Sequence, residues 1–122
     1  MADEWTALHS FWNGFGLSAY DEFTVPDDAQ MPYITYESAV SGFDESIQLS
    51  ASLYYRSTSW TEISQKASEI YSHVSGGTGV DYDHGRLWIT APSSFATRMD
   101  EPDDQNVRRI VLQIVCEFQT VR

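Results

Sequence analysis

At 122 residues, with 42% hydrophobic and 14% aromatic content, the chain is sized and composed for one folded domain over residues 1–122. Eighteen acids against seven bases give a net charge of −11, which repels nucleic-acid backbones and anionic membranes and disfavours ordinary binding to them. Cys116 is the single cysteine, so an intramolecular disulfide is excluded, and the acidic start Met1-Ala2-Asp3-Glu4-Trp5 lacks the basic opening of a signal peptide.

Trp5, Leu8, Phe11, Trp12 and Phe15 recur at helical spacing behind Asp3 and Glu4, and Gly14 and Gly16 follow as stop signals, so a helix is expected over about 3–14. Residues 17–32 carry two acidic pairs and two prolines and read as a loop. Tyr33-Ile34-Thr35-Tyr36-Glu37 then reads as a strand opened by Pro32. After a turn at 41–44, residues 47–56 alternate: Ile47, Leu49, Ala51, Leu53 and Tyr55 face one way, Gln48, Ser50, Ser52, Tyr54 and Arg56 the other. The expectation is a half-buried antiparallel strand paired with its predecessor.

Ser59-Trp60-Thr61-Glu62 has the capping-box pattern, with Ser59 as cap and Glu62 reaching back. Trp60, Ile63, Ala67, Ile70, Tyr71 and Val74 continue as one apolar stripe, ended by Gly76-Gly77, which predicts a helix over about 60–74. Residues 80–82 and 86–90 flank Asp83-His84-Gly85, a hairpin turn with glycine expected at the strained position. Residues 92–106 show no periodicity. Finally, residues 107–121 place Ile110, Leu112, Ile114, Cys116 and Phe118 on one face, with Val111 and Val115 among polar residues on the other; this is the central strand. The expected fold is α+β: a small antiparallel or mixed sheet of about four strands with two helices packed on one face.

Catalytic signatures are absent from the sequence. Asp81, Asp83 and His84 lack the third acid, placed glycine and distal glutamate of a calcium loop. Gly76-Gly77-Thr78-Gly79 follows a helix and lacks the lysine of a phosphate loop. Cys116 sits on a core face, where cysteine is filler more often than nucleophile. The chain is therefore expected not to be an enzyme and to need no cofactor or metal.

Several segments together resemble the tail terminator, or tail-completion, proteins of long-tailed bacteriophages. They are Phe11-Trp12, Ala19-Tyr20-Asp21-Glu22, Val25-Pro26-Asp27-Asp28, Pro32-Tyr33-Ile34-Thr35-Tyr36, Ser57-Thr58-Ser59-Trp60, Gly85-Arg86-Leu87-Trp88-Ile89, and the acidic loop into Arg108-Arg109-Ile110. The resemblance implies a virion structural subunit that forms a homo-oligomeric ring, usually of six, on the head-proximal end of the tail tube. Such a ring ends tube polymerisation and joins the tail to the head connector, so its partners are tail tube and neck proteins. It implies residence in the virion, with assembly in the host cytoplasm, and no cofactor or membrane. The charge balance fits separately, because DNA slides through a negatively lined channel without sticking. Two alternatives are a head-completion or neck adaptor protein and an acidic DNA mimic that inhibits a DNA-binding protein.

Two surfaces follow as expectations. Val111 and Val115, with Tyr54 among the polar residues of its strand, are expected at a subunit interface. The long segment 92–106 is expected to dock on tail or neck, with Phe95 and Met99 as apolar anchors ringed by Asp100, Glu101, Asp103 and Asp104.

Overall fold

A computed structural model describes residues 2–40, 42–43 and 46–121. Its spine is β7 (Val107–Thr120), fourteen residues without glycine or proline. β3 (Ser46–Arg56) runs antiparallel along one side of it, from Ser46 opposite Glu117 to Arg56 opposite Val107. The other side of β7 is shared by two strands. β5 (Gly85–Thr90) pairs with its C-terminal half and β6 (Ala96–Met99) with its N-terminal half. β2 (Tyr33–Tyr36) extends the sheet beyond β3, and β1 (Ser18–Asp21) lies parallel to β2 at that margin. β4 (Thr78–Tyr82) forms the hairpin with β5 at the opposite margin.

These strands overturn the expectation of a small four-stranded α+β sheet. Among the described residues the protein is mostly β: a seven-stranded mixed sheet curled into a half-barrel, with two helices. The missed strands are β1, inside the segment read as a loop over 17–32, and β6, inside the aperiodic 92–106. Each has four residues and lacks the run of aromatic and branched residues that marks the equally short β2, and β6 has no buried position to mark an inner face. Their strand character comes from the ladders they join. One long strand carrying β5 and β6 in succession, with the ordinary twist between neighbours, lets the sheet curl.

The concave side holds one core. The inward residues of β3 (Leu49, Ala51, Leu53, Tyr55) and of β7 (Ile110, Leu112, Ile114, Cys116, Phe118) join Ile34, Leu87 and Ile89 there. Helix α2 (Thr61–Val74) lays Ile63, Ala67, Ile70 and Val74 on β3 and β7. Helix α1 (Glu4–Asn13) reaches both margins of the curl, touching β1 and β2 on one side and β4 and β5 on the other, and buries Leu8, Phe11 and Trp12. Asp3 caps α1 by accepting the Thr6 N–H at 2.8 Å. The helix is tied to the far end of β7, where Thr120 Oγ1 donates to Glu4 Oε2 at 3.3 Å and shares a 2.6 Å bond with the Tyr82 hydroxyl.

Local details depart from expectation at two turns. Trp60 occupies the N-cap position of α2, and Ser59 Oγ accepts the Thr61 N–H at 3.1 Å, a tight local turn in place of the expected capping box. Gly85 is not in the left-handed region. Glycine is needed there for space, because a Cβ would meet the Gln119 carbonyl oxygen at 2.1 Å. Of the turn expected over 41–44, Ser41 and Asp44 lie outside the described residues.

The β1 margin is partly closed. The Glu22 N–H bonds to the Tyr36 carbonyl, so by alternation Ala19 and Asp21 direct their backbone groups away from β2. Asn13 Oδ1 accepts the Ala19 N–H at 3.2 Å, and the Asp21 carbonyl accepts the Thr24 N–H at 3.0 Å.

Candidate interaction site

The helices cover one face of the half-barrel, and the other face carries its own order. Tyr33 stands opposite Tyr54, Tyr54 opposite Arg109, and Arg109 opposite Met99. The tyrosine rings of 20, 33 and 54 form a ladder, with centroids 5.8 and 5.3 Å apart, and the Arg109 guanidinium lies 5.5 Å over Tyr54. Burial first, and after it the neighbouring Tyr54 and Tyr20, raise the pKa of the Tyr33 hydroxyl, so it stays neutral at physiological pH. Val111 and Val115 lie in the next rows of this face, opposite Ser52 and Gln48. Tyr33, Tyr54, Val111, Val115 and Trp88 are all half-buried. The residues expected at a subunit interface therefore share one helix-free face.

Where this face meets the sheet margin, a cleft of about 540 Å³ opens between the 58–60 segment and residues 99–108. Met99, Asp100 and Glu101 line it together with Trp60, Pro102 and Arg108. Two guanidiniums lie over the same indole: Arg98 at 4.8 Å and Arg108 at 5.4 Å from the Trp60 ring centre. Arg108 donates to the carbonyls of Gln105 and Thr58 at 2.9 and 2.8 Å, which ties the loop to the strand before α2, while its buried Nε has no partner. Arg98 donates to Ser64 Oγ at 3.2 Å. Glu101 is balanced by Arg109 at 3.6 Å, and Asp104 by Arg56 at 3.4 Å.

The docking segment divides on inspection. Met99 is 38% exposed, but Phe95 is only 7% exposed and packs edge-on against Tyr71 of α2, 5.1 Å between centroids. Phe95 thus pins the segment to the core and is not presented as an anchor. Asp100 and Asp103 are exposed, and Glu101 and Asp104 are held by the two arginines. Trp60, expected in the apolar stripe of the helix, does pack against the core but also lines the cleft, and neither Arg98 nor Arg108 was expected at this site. Two arginines are conspicuous in so acidic a chain, but only the fold brings them to one indole far away in sequence.

Elsewhere, chemistry has little to work with. Cys116 is fully buried, and burial pushes its thiol up to about 12, so it is protonated and inert at neutral pH. Asp81 pairs with Arg86 at 3.6 Å. No three His, Cys, Asp or Glu side chains converge as a metal site among the described residues. His9 Nδ1 shares a 2.9 Å bond with the Tyr36 hydroxyl. No helix of the described residues is long and apolar enough to cross a membrane.

No protein-family model, no curated protein and no solved structure matches this chain.

Proposed function

We propose that the chain is a structural subunit of a bacteriophage tail that assembles as a ring at the head-proximal end of the tail tube, where it ends tube growth and meets the head connector. The observation that carries this reading is the helix-free face. It holds Tyr33, Tyr54, Val111, Val115 and Trp88 half-buried in one surface, with neither helix over it. A monomer gains little from aromatic and branched residues on a solvated face, whereas a subunit seated among neighbours buries them. The net charge of −11 supports the same reading, since a ring through which DNA passes works best with a lining that repels phosphate.

Under this reading the open face and the segment 92–106 are contact surfaces, shared between neighbouring subunits and the tube or neck. The deciding experiment is native mass measurement of the full chain, alone and with tail tubes. A closed ring, six copies by the resemblance, is expected, and electron microscopy should show it capping tube ends. A chain that stays monomeric at its highest soluble concentration overturns the reading. A closed dimer that binds a DNA-binding protein would favour a DNA mimic instead.

A further inference from the structure

Charge is divided unevenly along this chain. Residues 1–55 contain nine acids and neither lysine nor arginine; all seven cations come from Arg56 onward. The division follows the sheet, because β1, β2 and nearly all of β3 belong to the acidic part and β4 to β7 to the other. Two copies related by a twofold axis would set like patches together. Copies related head to tail set unlike ones together, and that arrangement generates a ring when the rotation closes.

The cations of the second part gather at a defined seat. Among the described residues, Arg98 and Arg108 are the cations with no carboxylate within 4.0 Å, and both lie over Trp60. Four of the seven cations (Arg56, Arg98, Arg108, Arg109) gather here with four acids (Asp100, Glu101, Asp103, Asp104), so the corner is neutral and the whole charge of −11 lies elsewhere. An acidic segment meets less repulsion here than on the rest of the surface. The cleft floor offers it the Trp60 ring and Met99.

The acidic end has a matching projection. Asp21 closes β1 by accepting the Phe23 N–H on Oδ1 at 2.9 Å and the Thr24 N–H on its carbonyl at 3.0 Å. This fixed turn holds Phe23 out at 75% exposure, with Glu22, Asp27 and Asp28 exposed around it. An exposed apolar tip on a carboxylate-rich turn complements an aromatic cleft flanked by guanidiniums that have no carboxylate partner. Tip and cleft belong to opposite margins: β1 is the last strand on one side and β6 on the other, with β2, β3 and β7 between.

We propose that the Phe23 turn of one copy seats in the Trp60 cleft of the next, with Phe23 on Trp60 and Met99 and its flanking carboxylates on Arg98 and Arg108, joining copies head to tail. This rests on the ring reading above and names the contact that builds the ring. It also accounts for part of the open face. Met99 is the ladder partner of Arg109, beside Tyr54, and Thr97 is the partner of Val111, so a neighbour seated in the cleft reaches those residues.

The test uses two variants of the full chain that change exposed residues only. Arg98→Glu spoils the cleft; Phe23→Ser with Asp27→Lys and Asp28→Lys spoils the tip. Melting curves check that both stay folded. Each alone should be monomeric by native mass measurement where the wild type forms its ring, with subunit affinity weakened more than about tenfold. Mixed, they should form a heterodimer that grows no further, because one intact tip meets one intact cleft and none remain. Wild-type rings should also loosen as salt is raised. If either variant still forms rings, or if two monomeric variants fail to pair on mixing, this contact is wrong while the ring reading stands. If the wild type is monomeric throughout or forms a closed dimer, the ring reading falls and takes this contact with it.

Discussion

Along β7 the inward side chains Ile110, Leu112, Ile114, Cys116 and Phe118 are at most 3% exposed, while outward Arg109, Val111, Gln113 and Val115 are half-buried and Glu117 is exposed. The backbone is one strand in both cases; what differs is the cover. Helices α1 and α2 seal the inner side, and neither covers the outer one. Under the proposed ring reading, the branched residues at 111 and 115 on the unsealed side are a second interface along the same strand, left for another molecule.

The largest effect should come from opening the sealed side. Ile114→Ala removes a side chain at 0% exposure, and the cavity should cost about 2–5 kcal/mol in chemical denaturation. A loss far below that range would mean the inner face is loosely packed and the contrast with the outer face is false. On the unsealed side, Val111→Asp with Val115→Asp should cost the monomer no more than about 1 kcal/mol at each position, yet lower the oligomer mass in sedimentation. Destabilisation of the monomer comparable to that of Ile114→Ala would show that these valines serve the monomer's own fold.

The same contrast explains what the sequence made legible. β7 and β3 are long enough for their alternation to be read, and the stripe of α2 marks a helix that rests on both. β1, with Ser18-Ala19-Tyr20-Asp21, and β6, with Ala96-Thr97-Arg98-Met99, are strands because a partner lies beside them. Their four residues carry no such instruction. The candidate site divides similarly. Met99, Asp100 and Glu101 were visible as an apolar residue beside acids, and they do line one cleft. Phe95 looked equally suited, but its ring turns in to Tyr71. Trp60, Arg98 and Arg108 were not legible because their meeting depends on β6 lying against β7 beside the start of α2.

The smallest effect concerns the lid over the sealed side. The Thr6 N–H, and then the Thr6 hydroxyl, hold the Asp3 carboxyl below its ordinary 3.8. A carboxylate whose folded pKa is depressed favours the fold when charged. Its contribution is complete above the unfolded pKa and is lost as pH falls through the folded one. Asp3→Ala should therefore lower the melting temperature slightly near neutrality, and the gap from wild type should narrow as the solution is acidified below about 3.8. A gap independent of pH would assign the effect of the substitution to something other than the charged cap.

The partly closed margin at β1 bears on how such a chain survives at high concentration before it finds its place. An exposed strand end is a template, and templates recruit other strands indiscriminately into fibres. Here the Ala19 N–H is occupied by Asn13 and the Asp21 carbonyl by Thr24. Two outward backbone groups on that side are therefore taken, which blunts the edge as a template. A strand arriving at that margin meets an interrupted ladder, so pairing there through the backbone alone is disfavoured.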